Sequence, residues 1–271
     1  MGRYRGRTFI RERVHVCGEY MDAEIYPVFQ APGKRRKKCR PTKEVQAKIN
    51  QRNAERRLVR LVHANFTEED LALALSYDRA HMPADEIAAK KIMQRFLRQL
   101  RQEYRKLGLE LKYIWTSETG KTTGRIHHHL ILSGGMDRDR LEELWGRGWA
   151  NSKRLQFGDD GVTGLARYMV KTQLDYRRYS CSRNLVRPEP VELDGRMDRA
   201  EQQRLAEMVE DGTIYQEMEK IYPDYACIEA EAVRNEINHG VYIRIFMRRK
   251  TPEMIEGRKR ARKRKRELME P

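Results

Sequence analysis

The chain has 271 residues, and its 56 lysines and arginines against 40 aspartates and glutamates leave a formal net charge of +16. An excess of this size points to a polyanionic partner such as nucleic acid. No apolar run approaches the ~18 residues of a membrane span, and the start lacks the apolar core of a signal peptide, so a cytoplasmic protein with no membrane partner is expected. Cysteines at 17, 39, 181 and 227 form no CxxC pair, which excludes finger-type zinc spacing and reads as free thiols.

In chain order, the basic start MGRYRGRTFIRER leads into Val14 to Phe29, a loose alternation around Gly18 that fits a small hairpin. The run GKRRKKCR, from Gly33 to Arg40, is a like-charge segment suited to phosphate contact without sequence readout. A mostly polar helix is predicted from about Lys43 to His63. Residues Asp70 to Asp78, DLALALSYD, alternate as a strand: Leu71, Leu73, Leu75 and Tyr77 share one face, Ala72, Ala74, Ser76 and Asp78 the other. The large residues face the core, and the small ones leave an open face on which a substrate strand can lie. Pro83, Asp85 and Glu86 start a long helix ending near Gly108, whose stripe of Met93, Phe96, Leu97, Leu100, Tyr104 and Leu107 covers the leucine face.

The stretch YIWTSETGKTTGRIHHHLIL, Tyr113 to Leu132, reads as two strands joined by a glycine-flanked turn. Alternation puts His127 and His129 on one face and His128 on the other, with Trp115. A symmetric TGKTTG loop would set Thr116 opposite His127 and Glu118 opposite Arg125, with Glu118 on the face of His127 and His129 and one diagonal step from His127. Two imidazoles and a carboxylate on a rigid face make a half-open divalent metal site. His128 reads as a structural residue near Trp115.

Farther on, Asp137 can cap a short helix, Trp149 to Phe157 reads as a strand, and LARYMVKTQLDYRRY as a helix with a seam of Leu165, Met169 and Tyr176. Tyr168 and Lys171, three residues apart, share an adjacent face; taken alone, YxxK fits a packing aromatic beside a surface lysine. Asp198 to Glu210 and Tyr222 to Asn238 read as helices, Val241 to Arg248 as a strand, and GRKRARKRKRE as a basic arm. No glycine-rich nucleotide loop or Walker motif occurs, so any ATP-driven motor must come from another protein.

The strand LALALSYD, then GRIHHHLIL preceded by Glu118, then a helix carrying RYMVK, together resemble the HUH endonucleases, within them the replication initiators of rolling-circle plasmids and phages. The resemblance implies an α+β fold, with a central antiparallel sheet, helices on one face and the active site on the other. It makes His127, His129 and Glu118 metal ligands for Mn²⁺ or Mg²⁺, Tyr168 the nucleophile, and Lys171 an assisting base or phosphate contact. It implies single-stranded or hairpin DNA at a replication origin as substrate, a 5′-phosphotyrosine intermediate, and a host helicase and polymerase as partners. Three regions are expected: a basic N-terminal extension (1–55), the catalytic domain (56–190), and a helical C-terminal region with a basic tail (191–271). Departures from the pattern are a histidine between the paired histidines and the lack of a second tyrosine at the usual spacing. Single-tyrosine transposases of the same superfamily, and a non-catalytic basic DNA-binding protein, are the competing readings.

Overall fold

The computed structural model describes residues 8–29, 43–120, 124–171, 178–235 and 238–256. The basic run 33–40, the C-terminal basic arm and Tyr176 lie outside them. The described chain is α+β and forms two compact units, one of residues 39–188 and one of residues 1–38 with 189–271.

The first unit carries the histidine strand. Its elements are α1 (Lys43–His63), β3 (Leu71–Ser76), α2 (Glu86–Lys106), β4 (Tyr113–Thr119), β5 (Ile126–Leu132), α3 (Arg138–Glu143), β6 (Ala150–Arg154), α4 (Thr163–Lys171) and β7 (Ser180–Cys181). The strands form one antiparallel sheet in the order β6-β3-β5-β4-β7. Leu71, Leu73 and Leu75 are almost wholly buried, as the alternation predicts, and pack with Met93, Phe96, Leu97, Leu100 and Tyr104 of α2. Each such side chain removed from water contributes about 1.5–3 kcal/mol. Leu107, expected in the same stripe, caps the C-terminus of α2 and is 56% exposed. Asp85 starts that helix by accepting a hydrogen bond from the Ala88 amide, the N-cap its sequence position announces. On the other side of the sheet, α4 packs on α1 and on β4.

The second unit departs from the expected division of the chain. The N-terminal segment supplies two ten-residue strands, β1 (Thr8–Cys17) and β2 (Tyr20–Phe29), joined at Gly18 with φ 61°, so the expected hairpin is present and extends beyond Val14. With β8 (Val191–Asp194), β9 (Tyr225–Arg234) and β10 (Val241–Arg249) they form a sheet ordered β8-β1-β2-β10-β9. Helices α5 (Arg199–Glu210) and α6 (Ile214–Ile221) cover one face through Leu205, Ala206, Ile214 and Met218. The C-terminal region is therefore not chiefly helical. Tyr225 to Arg234, predicted as part of an acidic helix from Tyr222 to Asn238, is a strand. Ala230 and Ala232 pack on the core while Glu229 and Glu231 pair with Phe246 and Arg244, and cross-strand partners outweigh helical propensity.

Candidate active site

The site is built on β4 and β5. Glu118 stands directly opposite His127, Thr116 opposite His129, and Ser117 opposite His128. This register differs by two residues from a symmetric TGKTTG loop. The Gly120 amide donates to the Arg125 carbonyl and the Gly124 amide to the Gly120 carbonyl, so Arg125 belongs to the turn and its centre moves one residue along. A two-residue offset preserves facing. Glu118, His127 and His129 therefore share one face as expected, and Glu118 gains a closer relation to His127 than a diagonal.

His128 points into the leucine core and is fully buried. Its Nε2 lies 2.8 Å from the Tyr77 hydroxyl and its Nδ1 2.7 Å from the Ser117 hydroxyl. Tyr77, Trp115 and Trp145 meet the ring edge-on. Both ring nitrogens are thus satisfied by hydroxyls, which suits a neutral imidazole. Burial, and secondarily the neighbouring His129 and His127, push its pKa down from 6.5 to about 3. In the unfolded chain the ring takes up a proton near 6.5, so between these two values the unfolded state binds more protons. Stability should fall as pH drops through that window, by up to about 1.4 kcal/mol per unit. His128→Ala should cost about 2–4 kcal/mol at pH 7, from the cavity and the stranded Tyr77 hydroxyl, and should lose this share of the pH dependence. Urea unfolding of both proteins at pH 7 and pH 5 checks it; equal slopes would move the titration elsewhere.

On the open face, two groups converge on one carboxylate oxygen. Glu118 Oε1 accepts from His129 Nε2 at 2.8 Å and from the Tyr168 hydroxyl at 2.8 Å. The His129 and Tyr168 rings meet edge-on with centroids 5.2 Å apart. Tyr168 comes from α4, whose buried side is Thr163, Ala166, Met169 and Val170; the expected seam residue Leu165 is only half-buried. Tyr168 lies off that buried side and is 46% exposed. Partial desolvation, the hydrogen bond to Glu118 and its negative charge, in that order, push the phenol up from 10 to about 12. Lys171 does not contribute to this shift. It shares with Tyr168 an open groove of about 1130 Å³ between α1 and α4. Lys48, Arg52, Arg167 and Arg178 line the same groove, with Glu55 as its acid. The cations from α1 were not legible in the sequence, since a polar helix gives no sign of what it will border.

Sequence-predicted residues Glu118, His129 and Tyr168 are thus in direct contact, and His127 is placed by register on the same face. Among the described residues, no group of three or more His, Cys, Asp or Glu side chains is gathered as a metal site. The donor chemistry still fits a divalent ion: His129 Nε2 and Glu118 Oε1 are turned toward each other, with His127 across the ladder, a mixed nitrogen and oxygen set.

Residues 70–173 match the family model of replication-associated protein ORF2/G2P, in keeping with a rolling-circle replication initiator. The matched segment spans β3, the β4–β5 hairpin and α4. No curated protein and no solved structure matches the chain. Among the described residues, no helix is long and apolar enough to cross a membrane.

Proposed function

We propose that this replication-associated chain nicks and rejoins single-stranded DNA at an origin, through a covalent bond between Tyr168 and a 5′-phosphate. The observation that carries the reading is the convergence of Tyr168 and His129 on Glu118 Oε1, with Tyr168 also lining a groove shared with Lys48, Arg52, Arg167, Lys171 and Arg178. A tyrosine placed to stabilise the fold has no need of a partly exposed phenol beside an imidazole and a carboxylate. His127, His129 and Glu118 would hold Mn²⁺ or Mg²⁺, which when bound supplies Lewis-acid polarisation of the phosphodiester.

At rest the phenol is a poor nucleophile: partial burial first, then the hydrogen bond to Glu118 and its negative charge, hold its pKa at about 12. Whatever occupies the Glu118 carboxylate with positive charge removes two of the three causes of that rise. The half-exposed phenol can then lose its proton to solvent. Its oxygen attacks phosphorus, a phosphotyrosine bond forms, and the bond to the 3′-oxygen breaks, that oxygen taking a proton from water. Because one ester replaces another, a free 3′-hydroxyl can reverse the step without ATP. Lys171 and the neighbouring groove cations hold the phosphate backbone. A host helicase and polymerase complete the replication reading.

The test is to incubate the full chain with labelled single-stranded oligonucleotides, including hairpins, and Mn²⁺, and to resolve the products under denaturing conditions. A covalent adduct that disappears with chelator is expected, with the label on the peptide containing Tyr168. Binding without any adduct, across several metals and substrates, would leave a non-catalytic DNA-binding protein.

A further inference from the structure

One edge of the catalytic sheet carries a feature that the nicking chemistry does not use. Of the three tryptophans, Trp115 and Trp145 are buried, while Trp149 is 59% exposed. Its backbone is firmly seated. The Ser76 amide donates to the Trp149 carbonyl, the Asp78 amide to the Arg147 carbonyl, and Trp145 Nε1 to the Ser76 carbonyl. Gly148, between them, has φ 137°, and a Cβ there would lie 2.4 Å from the Asp78 amide nitrogen and 2.8 Å from the Ser76 carbonyl oxygen. Only glycine permits so close an approach. Trp149 is thus an exposed aromatic on a fixed backbone mount.

The register says which face it occupies. Leu75 pairs with Ala150, and Ala150 packs on the leucine core. The two hydrogen bonds above continue the same antiparallel register through Ser76–Trp149 and Asp78–Arg147. Trp149 therefore belongs to the opposite face, that of Ser76, His127 and Glu118, which stand in one cross-strand row. At the usual spacing of neighbouring strands, its Cα is about 10 Å from that of His127. Along the edge, Trp149, Asn151 and Lys153 share this face, an aromatic, an amide and a cation. Between the edge and the histidines, β3 offers only Ala72, Ala74 and Ser76, a shallow shelf.

We propose that Trp149 is a base-stacking platform that seats a nucleotide flanking the cleaved phosphate, with Lys153 on an adjoining phosphate. This rests on the nicking reading and names how the single strand is held beside it. A shelf of small side chains with an aromatic at its edge accepts the flat face of an unpaired base, and duplex DNA offers no such face. Base–aromatic stacking is tolerant of sequence, so Trp149 supplies position rather than origin choice.

The experiment measures binding of the full chain to a fluorescein-labelled oligonucleotide carrying the cleaved sequence, and to a series with one abasic nucleotide moved along it. Trp149→Ala should weaken binding about 5- to 100-fold, while Trp149→Phe keeps most of the affinity. In the wild type one abasic position should cost affinity by a similar factor, and in Trp149→Ala that position should become silent. Thermal unfolding should be unchanged, since the ring is exposed. Wild-type affinity in Trp149→Ala, or an abasic profile that the substitution leaves intact, would overturn the platform while the adduct assay still stands. A wild type that binds no single strand would overturn both readings.

Discussion

Tyr168→Phe is expected to bind single-stranded DNA as the wild type does and to form no covalent adduct at all. The substitution removes one oxygen. That oxygen donates the hydrogen bond to Glu118, and the ring, which meets His129 edge-on, is retained. Because the side chain is 46% exposed, stability should change by less than about 1 kcal/mol, so loss of the adduct cannot be laid to unfolding. Mass mapping of the wild-type adduct should place the nucleotide on Tyr168. Tyr179 is the described competitor, but it is half-buried, and burial pushes its phenol up. No contact joins it to Glu118 or His129 among those described. A nucleotide on Tyr179, or on Tyr176 outside the described residues, would remove Tyr168 as nucleophile and leave the endonuclease reading in place.

The second large effect concerns the three proposed ligands. His127→Ala and His129→Ala should each lower the cleavage rate by about 100- to 1,000-fold, the scale of losing one group that stabilises developing charge, with the fold retained because both side chains are only partly buried. Glu118→Gln separates two roles. It should weaken Mn²⁺ binding by calorimetry, with cleavage partly recovered at high metal concentration. It should also bring the Tyr168 phenol down from about 12, since the amide is uncharged and the carboxylate's field and hydrogen bond both favour the protonated phenol. Titration of ¹³C-tyrosine signals reads that change directly. Unchanged metal affinity would pass the ligand role to another acid, Asp78 among them. A phenol that still titrates near 12 would mean that burial alone sets its value.

Much of the first unit follows from local pattern. The leucine alternation of β3, the Asp85 cap and stripe of α2, and the glycine-flanked hairpin are periodic features of neighbouring residues, and each survives in the fold. The facing of His127, His128 and His129 is equally local, because strand parity depends on nothing beyond the strand. Register was not local. The turn takes in Arg125, which moved Glu118 from a diagonal to a position opposite His127, and only the pairing of two strands decides that. Contacts between distant segments lay further out of reach. The Tyr168–Glu118 hydrogen bond spans fifty residues, the groove cations come from α1, and Trp149 reaches the row of His127 through Ser76 on β3. In the second unit, the N-terminal hairpin joins strands from the far end of the chain. There an alanine- and glutamate-rich segment became a strand because β10 offered its backbone a partner. Sequence by itself determined which residues could face together along one element. Tertiary structure decided which faces meet, because pairing and packing energies between distant segments exceed the local preferences that a sequence displays.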